Sequence, residues 1–353
     1  MRKKVALVTS GLGTRYGGVG VVAQAIRSAL QPEYAISVWR HPPFWPRVGR
    51  IARVAAQSFI GSRVHPVIVI YDHVHLAALH ATIPGLRRIP YAVFLHGVEV
   101  WESLTGRRRE ALLGADRLIA NSARTVADAL RFNPWLPKVE VVWLGSGTPR
   151  SATTDRPQPI ALIVGRMNSL ERYKGHDAVI SAWPLLRAAV PDARLIVVGT
   201  GDDERRLRRR VRVSGLAGID FCGRLSDSER DRAYRTARLL FYPSTQEGFG
   251  LAAIEALSFG VPVVGLVGTV IEELFPNREG VVLTKDLGPE NIAEAAIPLL
   301  KDSRLACQVG QLGRERVESV FLEEHFARRF RRALAPLLNG EPTCGNRLPS
   351  TDL

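Results

Sequence analysis

Residues 244–260 read Ser244-Thr-Gln-Glu-Gly-Phe-Gly-Leu-Ala-Ala-Ile-Glu-Ala-Leu-Ser-Phe-Gly260, between two short apolar runs, Leu239 to Tyr242 and Val261-Pro262-Val263-Val264. The flanking runs read as strands, and the stretch between them as a glycine-rich loop that turns into a helix. Gly248 and Gly250 stand at the change from strand to helix. The first N–H groups of such a helix have no internal partner, which makes its start an anion site. Glycine there lets a phosphate or a sugar come close to the backbone. From Phe249 to Gly260 the helix is apolar nearly all round, the pattern of a buried helix. Glu255 is the only charged residue between Glu247 and Glu272, on the same side of the helix as Leu251. A lone carboxylate on such a helix is costly unless something satisfies it. Either a buried arginine pairs with it and fixes the packing, or a ligand's hydroxyl groups donate to it. Glu247 stands at the loop mouth, where the helix dipole favours a carboxylate. Two carboxylates at the two ends of a glycine-rich helix start suit a ligand that carries both phosphate and hydroxyls, as a nucleotide sugar does.

Upstream, the same alternation repeats. The strand Ile160 to Val164 runs into Gly165-Arg166, a polar loop leads to Tyr173-Lys174-Gly175, and a helix follows from about His176 to Ala189. The strand Arg194 to Val198 leads into Gly199-Thr200-Gly201 and a charged helix, and Ile219 to Cys222 ends at Gly223-Arg224-Leu225. Each strand has a glycine at its carboxyl end, which is where doubly wound α/β sheets place their ligands. Arg166 and Lys174 are the cations expected on a diphosphate, one a planar bidentate donor and the other a mobile point charge. The stretch from about Glu323 to Leu338 is an arginine-rich helix, and residues 339–353 have the composition of a disordered tail.

The first half opens the same way. Lys3 to Thr9 reads as a buried strand, residues 10–20 as a glycine-rich loop and Val19 to Leu30 as a helix. A dinucleotide site is disfavoured: glycines 11, 13, 17, 18 and 20 are out of frame for G-x-G-x-x-G, and the second strand ends in Trp39-Arg40, not an acid. Val67 to Tyr71 and Tyr91 to Leu95 are further strands. The first ends in Asp72, His73 and His75, candidates for meeting an acceptor; the second ends in His96-Gly97, at the ligand end of such a sheet. Residues 149–159 have linker composition and divide the chain into domains at 1–150 and 159–322.

The length of 353 residues suits two domains. The net charge of +14 is concentrated in residues 1–150, where 20 Lys and Arg face 8 Asp and Glu; the remainder holds 28 against 26. Such asymmetry points to an anionic partner such as a membrane surface. In residues 40–66, Arg47, Arg50 and Arg53 recur every third residue beside Phe44 and Trp45, a pattern that suits either a membrane interface or an ordinary surface helix. The basic residues are scattered without a nucleic-acid motif, so no nucleic acid is expected as a partner. Cys222, Cys307 and Cys344 have neither pair nor metal spacing, which fits a reducing compartment and hence a cytoplasmic location. No run reaches the length of a membrane span, and the apolar run Val5 to Val8 is too short for a signal peptide.

The blocks Glu247-Gly248-Phe249-Gly250-Leu251…Glu255, Pro243-Ser244, Gly260-Val-Pro-Val-Val264 and Gly165-Arg166…Lys174-Gly175 resemble, in order, those of retaining GT-B glycosyltransferases of the glycosyltransferase family 4 (glycosyl transferases group 1) kind. The loop between Arg166 and Lys174 is a little longer than the commonest family spacing. His96-Gly97 is similar to the family's His-Gly motif near the donor sugar, and Gly17-Gly18 to its Gly-Gly loop. The resemblance implies an α/β GT-B architecture, two doubly wound Rossmann-like domains facing a cleft, with the last helix (323–338) crossing back to the first. It implies transfer of a hexose with retention from a nucleotide-diphosphate sugar to a saccharide or lipid-linked acceptor, in bacterial surface or exopolysaccharide assembly at the inner face of the membrane. Neither a cofactor nor a metal is expected. Arg166, Lys174, Glu247 and His96 take the catalytic roles. Gly17, Gly18, Glu255, Gly248, Phe249, Gly250, Leu251, Arg224 and Leu225 take the donor. A sugar-nucleotide epimerase of the same fold is the alternative, and a basic nucleic-acid-binding protein a more distant one.

Overall fold

The computed structural model describes residues 2–41, 65–145 and 156–341. The expected helix carrying Arg47, Arg50 and Arg53, and most of the linker and tail, lie outside the described residues. The chain divides into two compact units, Met1–Gly145 with the stretch from Glu323, and Ser146–Leu322.

In the first unit the order is β1 (Lys4–Thr9), α1 (Gly17–Leu30), β2 (Ala35–Arg40), β3 (Ile68–Tyr71), α2 (Val74–Ala77), β4 (Tyr91–Leu95), α3 (Gly106–Leu113), β5 (Arg117–Ala120), α4 (Ala123–Phe132) and β6 (Val139–Val141). Its six strands are all parallel, in the order β2-β1-β3-β4-β5-β6. Strands β3 and β4 are buried on both faces, which is why they read as continuous apolar runs. Helix α1 begins at Gly17, two residues before the sequence expectation, so Gly17 and Gly18 are its first two residues.

In the second unit the order is β7 (Ile160–Val164), α5 (His176–Ala189), β8 (Arg194–Val198), α6 (Glu204–Val213), β9 (Ile219–Gly223), α7 (Asp227–Thr236), β10 (Leu239–Tyr242), α8 (Leu251–Ser258), β11 (Val263–Leu266), α9 (Val270–Leu274), β12 (Val281–Thr284), α10 (Pro289–Lys301) and α11 (Ser303–Val320). This sheet is also parallel, in the order β12-β11-β10-β7-β8-β9. Counted within the unit, that is the 3-2-1-4-5-6 order of a dinucleotide-type fold, in which the chain reverses direction between β7 and β10 and opens a crevice at their carboxyl ends. Trp183 of α5 is fully buried in the core of this unit and donates its indole N–H to the Ala217 carbonyl at 2.9 Å.

The last helix, α12 (Glu323–Asn339), belongs to the first unit. Arg331 donates to the Ala29 carbonyl at the end of α1 at 2.8 Å, and Lys3 donates to the Leu338 carbonyl at 2.9 Å. Phe326 and Phe330, fully buried, stack with ring centroids 5.2 Å apart, and Phe330 meets Phe94 of β4 at 6.3 Å. The arginine-rich composition of α12 is thus one face of an amphipathic helix whose aromatic face is core.

Candidate functional site

The crevice of the second unit is bounded by two loops, one after β7 and one after β10. Their backbones touch directly: Thr245 donates to the Tyr173 carbonyl at 3.0 Å, and a Cβ on Gly175 would stand 2.7 Å from the Pro243 carbonyl oxygen. Gly175 is left-handed (φ 74°) and so doubly requires glycine. The β7 loop is also laced to the loop after β8. Gly165 N–H meets the Val198 carbonyl and Met167 N–H the Thr200 carbonyl, both at 3.0 Å, and the Asp202 carboxylate accepts from Ser169 N–H at 2.7 Å and Ser169 Oγ at 2.6 Å. The polar loop expected between Arg166 and Lys174 closes in a short 3-10 helix, Ser169–Lys174. These bonds hold the two expected cations on a fixed frame.

Lys174 and Glu247 meet across the two loops, Nζ to Oε1 at 2.5 Å, with side chains 16% and 20% exposed. Arg166 stands at the same loop with 68% of its side chain in solvent; Glu171 holds its guanidinium at 2.5 Å. Burial, reinforced by Lys174, pushes the neighbouring His176 down to about 4, so this imidazole is neutral at physiological pH. Burial and then Glu247 raise the Tyr242 phenol well above its usual range, so it stays protonated beside the pair. Helix α8 starts immediately beyond, capped by left-handed Gly250 (φ 92°), where a Cβ would stand 3.0 Å from the Tyr242 hydroxyl. The N–H groups of its first turn lack i−4 partners. Gly248 precedes it; Phe249 is buried edge-on against Phe321 at 6.0 Å, and Leu251 is the first helical residue. The helix therefore begins two residues later than the apolar run from Phe249.

Glu255 lies on α8 with 27% of its side chain exposed. Tyr234 Oη donates to its Oε2 at 3.1 Å, and Arg230 Nε is 3.5 Å from the same oxygen. The arginine partner that the sequence allowed for is therefore present, and it comes from α7, 25 residues upstream. The side chain is thus both paired and partly open to solvent. Arg224 and Leu225 follow β9, the outermost strand, and so lie on the far side of β8 from the β7–β10 crevice.

Gly17, Gly18 and His96 belong to the first unit. His96, at the carboxyl end of β4, has its Nε2 at 2.5 Å from the Asp72 carbonyl, which can only accept; Nε2 carries the proton and Nδ1 is the acceptor in the neutral ring. Its own N–H meets Glu99 at 2.5 Å, and its carbonyl accepts from Asn121 at 2.9 Å. His73 and His75 stack 5.0 Å apart, and His73 lies 6.1 Å from His96. Asp72 is fully buried at the end of β3, and neither carboxyl oxygen has a partner at hydrogen-bond geometry among the described residues. Burial pushes this carboxyl up to about 7, with the nearby Thr9 hydroxyl as a partial offset. Sequence reading placed Asp72 at a strand end but gave no sign of its burial.

A family model for glycosyl transferases group 1 matches residues 149–316. That segment is a glycosyl transferases group 1 domain. The group 1 domain carries the Arg166, Lys174, Glu247 and Glu255 constellation just described. Among curated relatives, the GDP-mannose-dependent monoacylated alpha-(1-6)-phosphatidylinositol monomannoside mannosyltransferase of Corynebacterium glutamicum is 32% identical over 48% of this chain and 45% of its own length. The phosphatidyl-myo-inositol mannosyltransferase of Mycobacterium leprae is 26% identical over 85% of this chain and 83% of its own. The match thus spans under half of the first relative and most of the second. In fold, the chain superposes on sucrose-phosphate synthase from Thermosynechococcus elongatus with a TM-score of 0.79 over 96% of this chain and all of that one, at 18% identity. The fold is the α/β GT-B fold, built from two Rossmann-like units. Among the described residues no helix is long and apolar enough to cross a membrane, and no group of three or more His, Cys, Asp or Glu is placed to hold a metal ion.

Proposed function

We propose that this chain is a retaining glycosyltransferase that moves a hexose from a nucleotide-diphosphate sugar to a saccharide or lipid-linked saccharide acceptor. The observation that carries the reading is the Lys174–Glu247 pair, 2.5 Å apart, at the start of α8 and at the reversal point of the second sheet. Breaking a glycosyl–phosphate bond builds positive charge on the sugar and negative charge on the departing diphosphate. Arg166, Lys174 and the first-turn N–H groups of α8 stabilise that departing charge, so the residues supply what the leaving group needs. Glu247 orients sugar hydroxyls, and Glu255 accepts from the ribose while Tyr234 and Arg230 hold it in place. Neither acts as a glycosidase nucleophile, since that two-carboxylate logic belongs to hydrolysis. His96 presents Nδ1 as an acceptor on the first unit, to which we assign the sugar acceptor, with Asp72, His73 and His75 beside it. GDP-mannose is a candidate donor, because the Corynebacterium relative bears that dependence in its name. The phosphatidylinositol-based names of the relatives support a lipid-linked acceptor, and with it work at the cytoplasmic face of the membrane in surface polysaccharide assembly.

Calorimetric titration of wild type and Glu255→Gln with UDP, GDP and their sugars tests the site. We expect wild type to bind one nucleotide series. Glu255→Gln should weaken that binding about tenfold or more, since a hydrogen bond to a charged group contributes about 1.5–3 kcal/mol. Unchanged donor affinity in a variant whose Tm has fallen would mean that Glu255 serves only its pairing with Arg230 and Tyr234.

A further inference from the structure

Helix α6 reads Glu204-Arg-Arg-Leu-Arg-Arg-Arg-Val-Arg-Val213, six arginines in ten residues. Leu207 and Val211, four apart, are buried and seat the helix on the second unit. Three of the arginines are used internally. Arg206 pairs with Asp177 and Asp203, and Arg210 pairs with Asp177 and reaches Ser181 at 2.6 Å. Arg208 pairs with Glu204 at 2.8 Å, donates to the Phe221 carbonyl at 3.0 Å and lies over that ring. The other three, Arg205, Arg209 and Arg212, follow i, i+4, i+7 spacing and so share one face. All three are exposed, and none of their guanidinium groups has a hydrogen-bond or ion-pair partner among the described residues. They line a shallow groove of about 720 Å³ that begins at Gly201 and Asp202. The two most exposed large hydrophobic residues described are Leu170 at 87% and Val213 at 77%. Leu170 follows Ser169, whose backbone and hydroxyl bind Asp202 at the groove's start; Val213 is the last residue of the helix.

We infer that α6 docks the second unit on the anionic surface of a phospholipid bilayer. Guanidinium groups bind lipid phosphates bidentately, and exposed aliphatic side chains enter the interface beside them. A nucleic acid would use the arginines but has no use for Leu170 and Val213, and the groove offers no aromatic platform for a base. The inference deepens the membrane part of the proposed function and rests on that reading for its biological sense, but its observations are independent of donor chemistry. It also adds a basic surface on the half whose charges nearly balance, alongside the net-charged first half. Within α6, Asp177, Asp203 and Glu204 hold three of the six arginines and leave the other three as this stripe.

The test is co-sedimentation of the full chain with phosphatidylcholine vesicles, with and without phosphatidylglycerol, at low and high salt. We expect binding only to the anionic vesicles, lost at high salt. Arg205→Ala/Arg209→Ala/Arg212→Ala should lower the partition coefficient about a hundredfold, from about a fivefold effect per arginine near the surface. The same triple changed to Lys keeps most binding, and Leu170→Ser/Val213→Ser lowers it about tenfold. Wild type that stays in the supernatant, equal binding to neutral vesicles, or a triple alanine variant that sediments like wild type overturns the inference. So does a loss confined to an Arg47→Ala/Arg50→Ala/Arg53→Ala variant, which would place the membrane contact on the first unit and leave the proposed function standing. No glycosyl transfer is read in this experiment, so its failure and the failure of the enzymatic reading are separable.

Discussion

Lys174→Ala is expected to slow sugar transfer by about 10²–10³ in kcat, the cost of removing one preorganised donor from a charge that grows in the transition state. Lys174 lies on the 3-10 turn after β7, tied by Thr245 N–H to the β10 loop, and it meets Glu247 at 2.5 Å with 16% of its side chain exposed. Its ammonium is therefore held in position before any donor arrives, which is what the proposed action on a leaving diphosphate requires. The alanine variant also leaves Glu247 without its cation, so a carboxylate faces the phosphates and KM rises as well. A lysine that only supported the fold would lower Tm and leave kcat of the surviving folded protein near wild type. Steady-state kinetics beside a melting curve separates the two, and near-normal turnover removes Lys174 from the mechanism.

Gly199→Ala is expected to destabilise the second unit by about 4 kcal/mol, from backbone strain and overpacking together. Gly199 has φ 134°, in the region that L side chains avoid, and a Cβ there would stand 1.9 Å from the Gly165 carbonyl oxygen. The Cβ is fixed by its own backbone and meets backbone, so no rotamer change relieves the contact. The strands β7 and β8 would have to part at the end that carries Arg166. For a unit of this size the change corresponds to a fall in Tm of about 10 °C. A differential scanning trace with the second unit's transition unmoved would show that the loop relaxes without cost.

Sequence patterning carried the fold a long way at one level and failed at another. Each glycine-ended apolar run in the second half proved to be a parallel strand, because buried parallel strands read as unbroken aliphatic runs. Helix α1 starts two residues before the sequence suggests, since Gly17 and Gly18 are poor helix formers yet fill a first turn whose N–H groups need no i−4 partner. The strand order was not legible, because it depends on pairings between residues far apart, such as Leu240 with Leu162. At the site, Arg166, Lys174, Glu247 and Glu255 are candidates that the sequence offers, and all four belong to the second unit, where Lys174 meets Glu247 and Arg166 is held by Glu171. Their partners were not named. Arg230 and Tyr234 reach Glu255 from a different helix, and Glu171 reaches Arg166 from within its own loop, and no local spacing announces either. The stripe of Arg205, Arg209 and Arg212 is not legible in the sequence for a related reason. In sequence, all six arginines of α6 look alike, and only the positions of Asp177, Asp203 and Glu204 divide them into bound and unbound.

The most direct measurement of the central claim is the anomeric configuration of the product, followed by NMR. A nucleotide sugar bound by the wild-type chain is incubated with saccharide and lipid-linked acceptors, and in parallel without acceptor. The account predicts transfer in which the new glycosidic linkage keeps the anomeric configuration of the donor, and a nucleotide sugar left chemically unchanged when no acceptor is present. A linkage of inverted configuration, or conversion of the nucleotide sugar into its epimer in the absence of acceptor, would contradict it.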